Sequence, residues 1–312
     1  MSAFRTHIII NPVSAGGKTW RRRELILSEI RKCWDDFIIE YTEKPGDAVA
    51  KTRQAIMSGR NLIVAVGGDG TFREVVNGFY DNGRMINPEC TLAIISSGTG
   101  QGFAQSLGYP KEIDKQFEVI KNLKVQKTDI GRINFLTGGH SYFINEFQTG
   151  IGGEVVKNVG KDSKKRMGGF AFGLGVLKVI NGFNPGYYSV QIDENLKVEE
   201  ELTGVVVSNG NYTGGGMQLT PDASLDDGYL DVLLIPALTK KEMFTVFPRI
   251  YSGRHLNDKR FRCHKVKSLS FTFEKHVNYE ADGELLKESA YKVEVMPSAL
   301  NIIRPNLQER IK

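Results

Sequence analysis

LIVAVGGDGTFREVVNG, residues 62–78, decides the architecture of the first half of this chain. Leu62–Val66 is an uninterrupted apolar run, the pattern of a strand buried on both faces. Gly67-Gly68-Asp69-Gly70-Thr71 imposes a turn, and Phe72–Phe79 continues as a helix. A strand that runs through a glycine turn into a helix is half of a βαβ unit.

The flanking sequence repeats that pattern. His7–Ile10 is a short β-branched run ending in a glycine-rich turn, and Trp20–Cys33 has helical spacing through Leu25, Ile26 and Ile30. Phe37–Thr42 alternates like a strand, Asp47–Met57 reads as a helix burying Ala48, Ala55 and Ile56, and Leu92–Ile95 is another buried strand. The order predicts a Rossmann-like α/β domain, its parallel sheet covered by helices on both faces. Beyond about residue 128 the texture changes. Ser141–Asn145, Tyr187–Ile192, Thr203–Ser208, Tyr229–Ile235 and Val266–Phe273 are short strands separated by Gly, Asn and Asp, which predicts a mainly antiparallel β-sandwich. Phe170–Ile180 fits a helix or a loop. A strand near Leu300–Ile303 is expected to return to the first domain. The expected division is 1–128 with a return at about 297–312, and 129–296, the two domains apposed across a cleft.

Composition narrows the function classes. Of 312 residues, 40% are hydrophobic and 25% charged, which suits a globular chain with a sizeable core. No apolar run reaches the roughly 18 residues of a membrane-spanning helix, and the opening MSAFRTHIIINP is too short and polar for a signal peptide. Cys33, Cys90 and Cys263 have neither metal-ligand spacing nor a pairing scheme, so a reducing, cytoplasmic setting is expected. The net charge of +5 is mild, and its basic residues are scattered without stacking aromatics, so no nucleic-acid partner is expected.

Three glycine-rich turns follow predicted parallel strands: Asn11-Pro12-Val13-Ser14-Ala15-Gly16-Gly17, Gly67-Gly68-Asp69-Gly70-Thr71 and Ser97-Gly98-Thr99-Gly100. The carboxyl edge of an open α/β sheet is where ligands bind, and glycine lets backbone amides approach phosphate oxygens. Neither a Walker A loop nor a G-x-G-x-x-G fingerprint is present, which disfavours a dinucleotide redox fold. Asp69 has two readings. A carboxylate inside a phosphate loop needs a cation beside it, which points to Mg²⁺; alternatively Asp69 caps the helix that follows.

VGGDGTFREVVNG, INPVSAGGK and SSGTGQGFAQSLG resemble the three signature blocks of the diacylglycerol kinase catalytic domain family. YFINEFQTGIGGEVV, GGGMQLTPDASLDDGYLDV and NYEADGELL resemble later blocks of its bacterial lipid kinases. The resemblance spans nearly the whole chain and implies a fold of the NAD-kinase and diacylglycerol-kinase type. It also implies an ATP-dependent, Mg²⁺-requiring kinase of a lipid hydroxyl. It places Asn11, Pro12, Val13, Ser14, Ala15, Thr42, Gly67, Gly68, Asp69, Gly70, Thr71, Phe72, Arg73, Glu74 and Thr99 around the nucleotide, with Asp69 at the phosphates and Mg²⁺. It matches Ser224, Asp227 and Tyr229 to a second cation site of backbone carbonyls plus one carboxylate, for which Asp226 is the alternative acid. It makes Glu284 the proton acceptor, with Asp282 orienting that base or binding metal. Without the family, Asp282-Gly283-Glu284 reads as a hairpin turn.

The third block departs from the bacterial pattern. Gln101 and Gly102 stand where many members carry Asn-Asp, and Ser96 replaces a usual proline. Sphingosine-kinase-like members also lack that acid, so a sphingoid or ceramide-type acceptor stands beside diacylglycerol, and an NAD-kinase-like soluble acceptor is the third reading. The expected partner is a membrane lipid met peripherally at the bilayer surface, with a homodimer as a candidate assembly. Lys157, Lys161, Lys164, Lys165 and Arg166, followed by Met167, Phe170, Phe172, Leu174, Val176 and Leu177, form a candidate docking segment. Phe143, Phe147, Tyr187, Tyr188 and Phe271 line an acyl-chain pocket or form sandwich core.

Overall fold

The computed structural model describes residues 4–97, 101–166, 168–272 and 277–305, with side chains except at 159–174. The chain forms two compact units, Met1–Thr128 with Ser298–Lys312, and Asp129–Pro297.

The first unit runs β1 (Thr6–Ile10), α1 (Ser14–Arg21), α2 (Arg23–Cys33), β2 (Phe37–Tyr41), α3 (Asp47–Met57), β3 (Leu62–Gly67) and α4 (Asp69–Gly78). A small hairpin of β4 (Tyr80–Asp81) and β5 (Arg84–Met85) follows, then β6 (Thr91–Ser96), α5 (Gly102–Leu107) and α6 (Ile113–Lys121). β1 pairs in parallel with β2 and β3, and β3 pairs in parallel with β6 from Leu62 opposite Thr91 to Gly67 opposite Ser96. Every residue of β3 is buried, as its apolar run requires of a strand flanked by two others and covered on both faces. Ile8, Ile10, Val64 and Val66 pack with Ile26 and Ile30 of α2 and Ile113, Phe117 and Ile120 of α6. Each such side chain removed from water contributes about 1.5–3 kcal/mol. Of the helically spaced Leu25, Ile26 and Ile30, Leu25 is 45% exposed and the two isoleucines face inward.

The second unit contains β7 (Val125–Phe135, entering from the first unit), β8 (His140–Phe143), β9 (Glu146–Gly150), α7 (Ile151–Arg166), α8 (Gly168–Gly182), β10 (Gly186–Ile192) and β11 (Leu196–Ser208). It continues with β12 (Leu230–Pro236), α9 (Lys240–Val246), β13 (Arg262–Val266), β14 (Ser268–Thr272), β15 (Tyr279–Ala281), β16 (Glu284–Leu285) and β17 (Ala290–Ile303), whose end belongs to the first unit. Its pairings are antiparallel: β9 with β11, β10 with β11 and β14, β11 with β12, and β12 with β13. Glycine matters at Gly131, whose Cα lies under the Phe143 ring; an added Cβ would meet that ring at 1.9 Å. The predicted strand Val266–Phe273 is two strands, with Phe273 outside the described residues. Asp193 Oδ1 accepts the Lys267 and Ser268 amides at 2.9 and 2.8 Å, which takes the chain out of one ladder and into the next. Phe170–Ile180 falls within the helix α8.

β17 pairs with β14 through Ser268 opposite Glu294, and then in parallel with β6 through Asn301 opposite Thr91. Leu300, Ile302 and Ile303 are fully buried in the first unit.

Candidate functional site

The turn after β1 starts from Asn11. Its amide donates to the Val66 carbonyl at 2.9 Å, its side-chain Nδ2 donates to Thr71 Oγ1 at 2.9 Å, and its Oδ1 accepts the Val13 amide at 3.2 Å. One side chain thus joins the first two glycine turns. Ala15, Gly16 and Gly17 follow with φ of 54, 65 and 81°, three successive left-handed residues inside α1. The alanine is strained there by about 1–2 kcal/mol, the kind of cost found where backbone is shaped around a ligand. Pro12 is half-buried and Val13 is exposed. Thr42 is buried, and its amide extends the ladder to the Ile10 carbonyl at 2.9 Å.

A hydroxyl cluster that the sequence motifs do not signal lies behind these turns. Thr19 Oγ1 is 2.5 Å from Ser97 Oγ and also pairs with Ser14 Oγ, which donates to the Asn11 carbonyl at 2.9 Å. The Ser97 amide donates to the Gly67 carbonyl at 2.9 Å. The start of the third turn is therefore tied to the first and second. Thr99, assigned to the nucleotide, lies outside the described residues with its neighbours Gly98 and Gly100.

Asp69 is the first residue of α4, and it caps a different helix. Its two carboxylate oxygens accept the Gly102 and Phe103 amides at 3.1 and 3.2 Å, at the start of α5. The anion sits on unsatisfied helix donors and in their positive potential. A carboxylate offers about four lone-pair directions, and the two amides account for two of them. Gly102 supplies one of these amides. Gly67 must be glycine, since a Cβ there would lie 2.5 Å from Thr71 Oγ1. Two residues read as nucleotide neighbours also have structural contacts of their own. The Phe72 side chain is fully buried in the core, which leaves only its backbone for a ligand. Glu74 accepts the Gly46 and Ala48 amides at 2.9 and 3.3 Å, which ties its carboxylate to the N-terminus of α3. Arg73 is half-buried beside them.

In the second unit Asp282 and Gly283 form a tight turn with φ of 49 and 77°, joining β15 to β16. Both positive values match a two-residue hairpin turn of type I′. Asp282 is 6% exposed, and its carboxylate accepts three amides: Ile144 at 3.0 Å, Asn145 at 2.9 Å and Glu146 at 3.0 Å. Glu280 Oε2 accepts the Gly283 amide at 2.8 Å. Glu284, opposite Ala281, is half-buried on the strand that leaves this turn. Of the two roles considered for Asp282, this geometry is that of orienting the segment that carries Glu284.

The second cation site does not assemble as expected. Asp227 Oδ1 accepts the Tyr229 amide at 3.1 Å, and its Oδ2 lies 2.5 Å from Lys265 Nζ, which also reaches Asp231 Oδ2 at 3.2 Å. The Ser224 hydroxyl donates to the alternative acid, Asp226, at 2.8 Å. The donor set Ser224, Asp227 and Tyr229 therefore does not fit a divalent ion, because an ammonium already occupies its one carboxylate.

The aromatic alternatives resolve toward core. Phe143, Phe147, Tyr188 and Phe271 pack in one cluster with Val190, Val205 and Leu234, and burial pushes the Tyr188 phenol up to about 12. Tyr187 is exposed. In the docking segment, Val176 is 5% exposed and Leu177 packs on the same cluster as Val206 and Leu233, so both belong to the core. Lys157 pairs with Glu154 at 3.8 Å. The side chains of Lys161, Lys164, Lys165, Arg166, Met167, Phe170, Phe172 and Leu174 lie outside the described residues. No described helix is long and apolar enough to cross a membrane.

Comparison with known proteins follows the same division. Residues 5–133 match the diacylglycerol kinase catalytic domain, and residues 146–304 match the YegS C-terminal NAD kinase beta sandwich-like domain. The chain is similar to the diacylglycerol kinase of Bacillus subtilis (strain 168), 28% identical over 281 residues that cover 90% of this chain and 89% of that one. It is also similar to the "Probable lipid kinase YegS-like" protein of Stenotrophomonas maltophilia (strain K279a), 26% identical over 312 residues, 98% of this chain and 97% of that one. A crystal structure of a diacylglycerol kinase from Bacillus anthracis str. Sterne shares the fold, with a TM-score of 0.73 at 23% identity over 98% of each chain.

Proposed function

Because the chain belongs to the lipid kinase family defined by the diacylglycerol kinase catalytic domain and the YegS C-terminal domain, we propose that it transfers the γ-phosphate of ATP to the hydroxyl of diacylglycerol or a closely related lipid alcohol. The observation that carries this reading is the tied set of glycine turns at the carboxyl edge of the first sheet, with Asp69 fixed among them by two helix amides. Backbone donors from Asn11–Gly17 and Gly67–Thr71 bind and orient the polyphosphate. Asp69 is the residue that would hold Mg²⁺, which when bound neutralises charge developing on the phosphate oxygens. Glu284 takes the proton from the acceptor hydroxyl as its oxygen forms the new bond to phosphorus and the bond to the ADP oxygen breaks. Asp282 keeps that base in place. The lipid stays in its bilayer, and the enzyme meets it peripherally from the cytoplasmic side.

The test is transfer of radiolabelled phosphate from ATP into mixed micelles of diacylglycerol, ceramide or a sphingoid base, with NAD as a soluble acceptor. Label in diacylglycerol, lost in Asp69→Ala and reduced on the order of 10²–10⁴-fold in Glu284→Gln, is expected. Label entering NAD and no lipid would overturn the proposal. Label entering only ceramide or the sphingoid base would move the acceptor to that class.

A further inference from the structure

The corner formed by Asp227, Asp231 and Lys265 departs from what the family resemblance implies, and the departure has a function of its own. We propose that Lys265 is the resident cation of this corner, an ammonium built into the chain where the bacterial relatives are expected to bind a divalent ion.

The register places it there. Asp231 on β12 and Lys265 on β13 are directly opposed partners of an antiparallel pair, so their side chains leave the sheet on the same face. Asp227 lies in the turn just before β12. Lys265 Nζ meets Oδ2 of both acids, at 2.5 and 3.2 Å. The Asp231 side chain is only 9% exposed. Each acid is thus matched to a positive charge that belongs to the chain itself.

The rest of the turn closes on itself. The Gly228 amide donates to Asp129 Oδ2 at 2.7 Å, and the Asp129 amide donates to the Leu225 carbonyl at 2.7 Å. Ser224 is bonded to Asp226, and Asp227 Oδ1 to the Tyr229 amide. A six-coordinate hard ion needs its oxygens converging at about 2.0–2.6 Å. Here the oxygen such an ion would take first is held by nitrogen, and a second cation beside Nζ would be repelled.

The experiment is thermal unfolding without nucleotide or lipid, in EDTA and then in millimolar Mg²⁺ or Ca²⁺ at matched ionic strength. Wild type is expected to melt at the same temperature in all three. Lys265→Met keeps the stem and loses the charge; it is expected to melt several degrees lower in EDTA and to regain at least half of the loss with a divalent ion. Lys265→Arg keeps the charge and is expected to behave as wild type, so the idea remains testable even where the methionine variant fails to fold. A saturable stabilisation by divalent ions that persists in Asp69→Ala protein would overturn the proposal, as would a folded Lys265→Met protein indifferent to them. No turnover is measured, so this result stands or falls apart from the kinase assignment on which the comparison rests.

Discussion

Asp282 and Glu146 are bonded to each other in both directions: the Asp282 amide donates to the Glu146 carbonyl at 3.0 Å, and the Glu146 amide donates to Asp282 Oδ1 at 3.0 Å. The carboxylate also holds the two preceding amides, so a turn distant in sequence is locked to the entrance of β9. Asp282→Ala leaves three buried donors without this acceptor, and each costs about 1 kcal/mol or more. Denaturant unfolding should show a loss of roughly 3 kcal/mol. Asp282→Asn, which keeps one acceptor oxygen, should lose clearly less.

Asp69 holds two α5 amides, and the proposed function adds a chemical role; one substitution separates the two. Asp69→Asn retains an oxygen for an α5 amide while removing the charge proposed to face phosphate and cation. Turnover should fall about 10²–10³-fold, while stability changes by about 1 kcal/mol. A stability loss large enough to explain the activity loss would contradict the assigned role.

Glu74 lies inside the signature block but serves α3. Its replacement by Gln keeps an acceptor and removes charge from a helix N-terminus; replacement by Ala removes both. Glu74→Ala should cost about 1–2 kcal/mol in unfolding free energy and Glu74→Gln less. The KM for ATP should stay within about threefold of wild type in both; a tenfold rise in Glu74→Gln would return the residue to the nucleotide.

His255 predicts an acid-side loss of stability. It is 1% exposed; Nε2 bonds to the Leu219 carbonyl at 3.0 Å, and Nδ1 is buried without a partner. Burial therefore holds its pKa below the ordinary 6.5. The unfolded chain binds a proton that the folded chain resists. The stabilisation is complete above about pH 6.5 and is lost as pH falls through the lowered folded value. His7, buried beside Glu40, is shifted the same way. Asp231 is shifted upward and works in the opposite sense, its contribution present below the ordinary 3.8 and fading as pH rises. Unfolding midpoints measured from pH 8 to 5 should drop below pH 6.5, and His255→Asn should flatten part of that slope despite a lower midpoint at pH 8.

What was legible in the sequence was local. The run from Leu62 through Phe79 announces strand, turn and helix in consecutive residues, and both β3 and α4 lie there. The alternating segments after residue 128 announce an antiparallel unit. Partners distant along the chain were not legible. Nothing near Glu74 points to the amide of Gly46, and nothing near Asp227 points to Lys265, because register across β12 and β13 brings that pair together. Alternation also says that Phe143, Phe147 and Phe271 face one way, without saying whether that side holds lipid or other side chains. Helical spacing likewise groups Leu25 with Ile26 and Ile30, without saying that the two isoleucines alone fill the space over the sheet.

β17 is a single 14-residue strand that begins in one unit and ends as a parallel neighbour of β6 in the other. During synthesis, the ribosome emits residues 4–97 long before residues 298–305. The nascent first unit therefore waits, with the edge of β6 open, while more than half of the protein is still being made. Leu300, Ile302 and Ile303 close it only when they emerge. Chaperone dependence and loss of soluble yield should therefore follow truncation anywhere before Ile303, even though Asn11–Gly17 and Gly67–Thr71 would already have been made.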